Sequence, residues 1–220
     1  MNPVEEVIGH GTDCQPFEET AASAAAARQN PFLDRLGALY EKMDRRYTEI
    51  ADRYGFHCRG CEDSCCKTVF YHHTLVEYLY IEVGIHILGR AVQEKVLHRS
   101  REVAAAPDHG HFCPLIEDGR CLLYAYRPMI CRLHGIAHEL HRPDGTVHRG
   151  PGCHVFDVVS RGKSDIVFDR TPFYWELSTL EKEVRAAYGF SQKTKMTISQ
   201  MMETILQPKP SKGSSSHETD

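Results

Sequence analysis

The chain has 220 residues, 26 of them basic and 30 acidic, for a formal charge of −4, and 41% are hydrophobic. This balance excludes a wholly disordered chain and a collagen, and it gives no global pull toward nucleic acid or anionic lipid. No run of about 18 apolar residues occurs, which predicts no membrane-spanning helix. The amino-terminal residues lack the basic start and apolar middle of an export signal, so the expected compartment is the reducing cytoplasm.

Residues 1–30 are rich in Ala, Glu and Thr without a sustained apolar period, and are expected to be disordered. The first strong element covers residues 31–54. Leu33, Leu36, Tyr40, Met43, Tyr47, Ile50 and Tyr54 alternate in steps of three and four, the period of one helical face. Arg35, Lys42, Arg45, Arg46, Glu49 and Arg53 supply the opposite face, and Gly55 offers a stop. This helix leads directly toward Cys58. A second helix is expected from Thr74, where Thr74 and Glu77 have capping-box spacing before an apolar run, with a pause near Gly84 or Gly89. A third covers residues 90–105 and ends before Pro107.

From Gly110 to Gly152 the texture changes to turn signals. Asp118-Gly119 between two short apolar runs predicts a hairpin, and Pro143-Asp144-Gly145 predicts another turn. Pro128 opens a short helix closed by Gly135. Helices return at Thr171-Pro172, read as a cap and a first-position proline, and at residues 197–206. Residues 207–220, with two prolines and four serines, form an expected disordered tail. The fold class is mainly α, a single domain over residues 31–206. Its helices pack around an irregular cysteine-rich metal-binding centre with short β-hairpins.

Nine cysteines carry the chemistry. An odd number cannot all pair, and clustered cysteines in a cytosolic chain point to metal or redox chemistry rather than to structural bridges. Cys14 stands alone in the amino-terminal segment. One cluster is Cys58, Cys61, Cys65 and Cys66; the other is Cys113, Cys121, Cys131 and Cys153. Soft thiolates suit zinc or an iron–sulfur cluster. Cys58-x-x-Cys61 supplies half of a tetrahedral shell, so further ligands must come from Cys65, Cys66 or the second cluster. Adjacent side chains diverge, so which of Cys65 and Cys66 binds stays open. Arg59, Lys67, Arg127 and Arg132 flank cysteines and are candidates to offset thiolate charge, as well as ordinary surface charges. His134, His138, His141, His148 and His154 are candidates to complete a shell, though a surface or supporting role is the commoner one for each. His72-His73 reads as a helix start.

Cys58-x-x-Cys61-x-x-x-Cys65-Cys66, then Cys113-Pro114, then Gly119-Arg120-Cys121-x-x-Tyr124-x-x-Arg127-Pro128-x-x-Cys131-Arg132, resembles the YkgJ-type cysteine-cluster family. The resemblance runs from about Cys58 to Cys153 and implies a zinc- or iron-chelating domain, with the motif cysteines as ligands of a zinc ion or an iron–sulfur cluster. A similar cluster in flagellin lysine N-methylase implies a second reading, an iron–sulfur enzyme modifying a protein side chain, although no glycine-rich cofactor loop supports it. A disulfide-based redox protein is a third. The partner expected is a metal ion or cluster, with a protein partner open and neither membrane nor nucleic acid expected.

Overall fold

The computed structural model describes residues 30–58, 65–106, 110–163 and 167–207. The expected disorder of residues 1–30 and 207–220 lies outside these except at Asn30, which caps the first helix, and Gln207, which ends the last. The fold is mainly helical with two small sheets, and none of the described helices is long and apolar enough to cross a membrane.

Helix α1 (Pro31–Tyr54) begins at Asn30, whose side chain accepts the Phe32 N–H, and ends at Gly55 with φ 65°. That left-handed turn costs a glycine little and any β-carbon residue more. The stripe predicted from the sequence is the buried one: Leu33, Leu36, Tyr40, Met43, Ile50 and Tyr54 all face the core, joined by Leu39 and Ala51. Fully burying one such large side chain stabilises by about 1.5–3 kcal/mol, so this face anchors the fold.

Helix α2 (Leu75–Ile87) starts after Thr74, but the capping box does not form. Glu181 reaches in from α6 (Thr171–Tyr188) and takes the Leu75 and Val76 amides at 2.8 and 3.0 Å. Glu77 is thereby released to turn inward. The chain breaks at Leu88-Gly89 before α3 (Arg90–Ala105). Gly84 stays within the helix, and only a glycine fits there, since a β-carbon would stand 2.6 Å from the Tyr126 ring.

The hairpin of β1 (Ile116–Glu117) and β2 (Arg120–Cys121) turns on Asp118 (φ 49°) and Gly119 (φ 75°). A one-turn helix, α4 (Met129–Arg132), follows Pro128; it closes at Leu133, earlier than Gly135. β3 (His138–His141) pairs antiparallel with β4 (Val147–Gly150) and parallel with β5 (Phe168–Asp169), giving the order β4-β3-β5. Neither β5 nor α5 (His154–Ser160) was expected from the sequence. Arg170 precedes α6, so Thr171 is its first helical residue rather than its cap. In α7 (Ile198–Leu206) Thr197 and Gln200 form the complete capping box that Thr74 and Glu77 do not.

Two apolar clusters result. One joins α1, α6, the start of α2, α4 and β5; the other joins α2, α3, α7 and the segment carrying the first hairpin. Tyr80 and Val83 of α2 touch both.

Candidate metal centre

Four of the predicted cysteines approach one another on four separate segments. Cys66 sits in a 3-10 turn (Cys65–Lys67), and its carbonyl accepts the Cys113 N–H at 2.6 Å. The Cys113 carbonyl accepts the Ile116 N–H, and Ile116 pairs with Cys121 across the hairpin. A 3-10 turn (Tyr124–Tyr126) then carries the chain to α4 and Cys131, whose N–H meets the Pro128 carbonyl at 3.0 Å. The two-residue tip at Asp118-Gly119 fixes where Cys121 faces, because it sets the register of the hairpin.

The thiols feel one another. Burial pushes the Cys113 thiol well above its ordinary pKa, and Cys121, Cys131 and Cys66 push it further. Burial raises Cys121 to about 11, with Arg127 opposing and Cys66 adding. Cys131 goes to about 12 through burial first and then Cys121, with Arg127 again opposing. Desolvation and like charge both disfavour thiolates here, and a soft cation reverses both effects at once. No disulfide joins any of Cys58, Cys66, Cys113, Cys121, Cys131 or Cys153. Among the described residues, no three Cys, His, Asp or Glu side chains already stand close enough to hold one ion. The four thiols form a looser group than a closed shell. Their donor chemistry fits zinc or an iron–sulfur cluster: soft, buried, and mutually repelling once ionised.

Arg127 is the stronger of two cations at this corner, Arg132 also lowering the Cys121 thiol. Its Nε donates to the Tyr124 carbonyl at 3.0 Å and its guanidinium lies 3.5 Å from the Tyr124 ring centroid. Arg132, flagged beside it in the sequence, does something else as well. It is 7% exposed, donates to the Arg127 carbonyl at 2.8 Å and to the Ala125 carbonyl, and pairs with Asp44 at 2.6 Å. It braces the backbone between Cys121 and Cys131. Lys67 lies over the Phe112 ring.

Cys58 and Cys153 have a different neighbour. Both raise the Tyr47 phenol, after burial as the main cause, and Arg127 opposes them. Tyr47 donates to the His134 carbonyl at 2.9 Å, and the Cys153 N–H meets the Gly135 carbonyl at 2.8 Å. Cys14, Cys61 and the side chain of Cys65 lie outside the described residues. The candidate histidines gather toward the other sheet: His138 and His141 are on β3 and His148 is on β4. The His138 ring lies against Gly150, and His141 contacts Glu139 at 3.1 Å. His134 packs edge-on to Phe70, and His154 opens α5.

Sequence reasoning missed Glu77, Tyr40 and Asp44 as supports of the centre. The available signal was an acidic residue inside the most apolar run of the chain, which the capping pattern explained away. No family model, curated protein or solved structure matches the chain.

Proposed function

We propose that this chain is a metal-binding protein that holds a zinc ion or an iron–sulfur cluster through clustered cysteines, with a structural role or one in metal or redox handling. Cys66, Cys113, Cys121 and Cys131 are the core ligand candidates; Cys58, Cys61, Cys65 and Cys153 complete the candidate set. The observation that carries the reading is the approach of four half-buried, unbridged thiols from segments up to 65 residues apart in sequence, 66 to 131. The resemblance to the YkgJ-type cysteine-cluster family points the same way, since its motif residues include all four. The metal would supply the positive charge that four desolvated thiolates require. The protein residues supply the rest. The hairpin and α4 place sulfurs, Arg127 lends further positive charge, and Arg132 holds the intervening backbone. The cytoplasm, where thiols stay reduced, suits such a site.

Purification without oxygen, followed by metal quantitation and a visible spectrum, tests this. The expected outcome is stoichiometric zinc in a colourless protein or iron in a brown one. A folded protein free of both metals contradicts the proposal. Visible absorption also separates zinc from the iron–sulfur reading.

A further inference from the structure

Helix α4 is a single turn of four residues. A turn that short cannot hold itself, because helix nucleation costs more than one turn of hydrogen bonds returns. Something outside it must fix Cys131. On one side Arg132 ties the turn to the carbonyls of residues 125 and 127. On the other, Glu77 of α2 is 5% exposed and turned toward it. Glu77 Oε1 accepts the Met129 N–H at 2.7 Å and the Tyr40 hydroxyl at 2.9 Å, and Oε2 accepts the Thr74 hydroxyl at 2.5 Å. Three donors from three segments thus fix one carboxylate, and Met129 is the first residue of the turn that carries Cys131. Tyr40 is 2% exposed and lies 4.2 Å beneath the Arg132 guanidinium, so the two braces share one support.

We propose that Glu77 is the positioning residue for Cys131, pinning the Met129–Arg132 turn against α2 by the reach of its side chain rather than by its charge. The consequence for metal rests on the metal-binding reading; the placement of Cys131 does not. All three bonds run toward the carboxyl group from neutral donors. Glutamine can reproduce them: its carbonyl oxygen takes the Met129 and Tyr40 donors, and its amide donates to the Thr74 oxygen. Aspartate keeps the charge but withdraws the carboxylate by about 1.5 Å, the length of one carbon–carbon bond.

The test compares Glu77→Asp with Glu77→Gln in the full chain. In metal-free protein, alkylation followed by mass spectrometry reads Cys131 against Cys113 as an internal standard. Cadmium alone, followed by its thiolate charge-transfer band, reads binding. We expect Glu77→Asp to speed Cys131 alkylation relative to Cys113 by about tenfold and to weaken cadmium binding by a similar factor, as loss of a supporting group does at metal sites. Glu77→Gln should stay within about twofold of the native chain in both, having kept the geometry. A global loss of stability would speed both cysteines alike and leave the ratio unchanged, which counts against the proposal. So do a Glu77→Gln chain impaired as much as Glu77→Asp, or unfolded, and two variants both like the native chain. If Glu77→Asp does not fold, Tyr40→Phe removes one donor and should raise the same ratio by about threefold; an unchanged ratio then overturns the proposal. A native chain that binds no cadmium would remove the metal reading while leaving the alkylation comparison intact.

Discussion

Two groups of buried polar side chains lie close together along this chain and are built on opposite principles. Around Glu77, unlike meets unlike: a carboxylate accepts from a phenol, a hydroxyl and an amide, and Arg132 sits over the same phenol with Asp44 as its ion-pair partner. Around Cys113, like meets like: four thiols form a loose group, and burial first and neighbouring thiols second drive Cys113, Cys121 and Cys131 away from ionisation. A satisfied polar network fixes geometry. Thiols grouped this way stay protonated until an opposite charge stands among them. The first region is complete in the polypeptide; on the proposed reading, the second awaits a metal.

The sharpest way to break this comparison is at a sulfur. Cys113→Ser should weaken cadmium binding by at least about a hundredfold, because a hard hydroxyl replaces a soft ligand. Cys58→Ser, at the Tyr47 corner, should leave it within about threefold. A competition titration against a chromophoric chelator measures both. Equal losses would mean that the Tyr47 corner and the hairpin corner form one centre.

The finished region is tested at Arg132. Arg132→Ala strands two part-buried carbonyls and removes the partner of a half-exposed Asp44, and should cost about 2 kcal/mol. Denaturant unfolding of metal-free protein reads the loss. A change under about 1 kcal/mol would mean that the backbone between Cys121 and Cys131 holds its own shape.

A smaller effect comes from two histidines. Burial, and after it the charge of Arg170, lowers the His138 pKa from 6.5 to about 4, with His148 and His134 adding to the depression and the Ile136 backbone opposing it. Burial likewise lowers His72, where Glu77 opposes and His73 adds. Above about pH 6.5 these groups are neutral both folded and unfolded. Below it, the unfolded chain takes up protons that the folded chain refuses. Stability is therefore full at neutral pH and falls as the pH drops from about 6.5 toward about 4. The urea midpoint of metal-free protein should fall between pH 7 and pH 5, and His138→Asn should flatten that slope. A midpoint that rises over this interval would contradict the assignment.

What the sequence made legible follows from range. The face of α1 is a local repeat of three and four, and its members are buried except Tyr47, which is half-buried. Gly55 and Asp118-Gly119 act through their own backbones, so they too were readable, whereas the Thr197–Gln200 capping box was not anticipated. Thr74 with Glu77 obeyed the same local rule and failed, because Glu181, more than 100 residues away, took the amides that the box would have used. β5 is two residues long and gains its identity from its partner β3, which no local pattern announces. The cysteines were visible as a set by their chemistry. Their grouping was not, since it depends on where the hairpin, α4 and α1 come to rest. Arg132 looked like Arg127 in the sequence; its burial and its bonds to the Arg127 and Ala125 carbonyls and to Asp44 give it the bracing role.

The central claim is that Cys66, Cys113, Cys121 and Cys131 share one inorganic partner. Alkylation mapped by mass spectrometry, on protein isolated without oxygen, before and after a chelator strips its metal, tests it most directly. The account predicts that these four cysteines gain label together once the metal is removed, while Cys14 labels equally in both states. Unchanged labelling, or a different set of cysteines uncovered by the chelator, would contradict it.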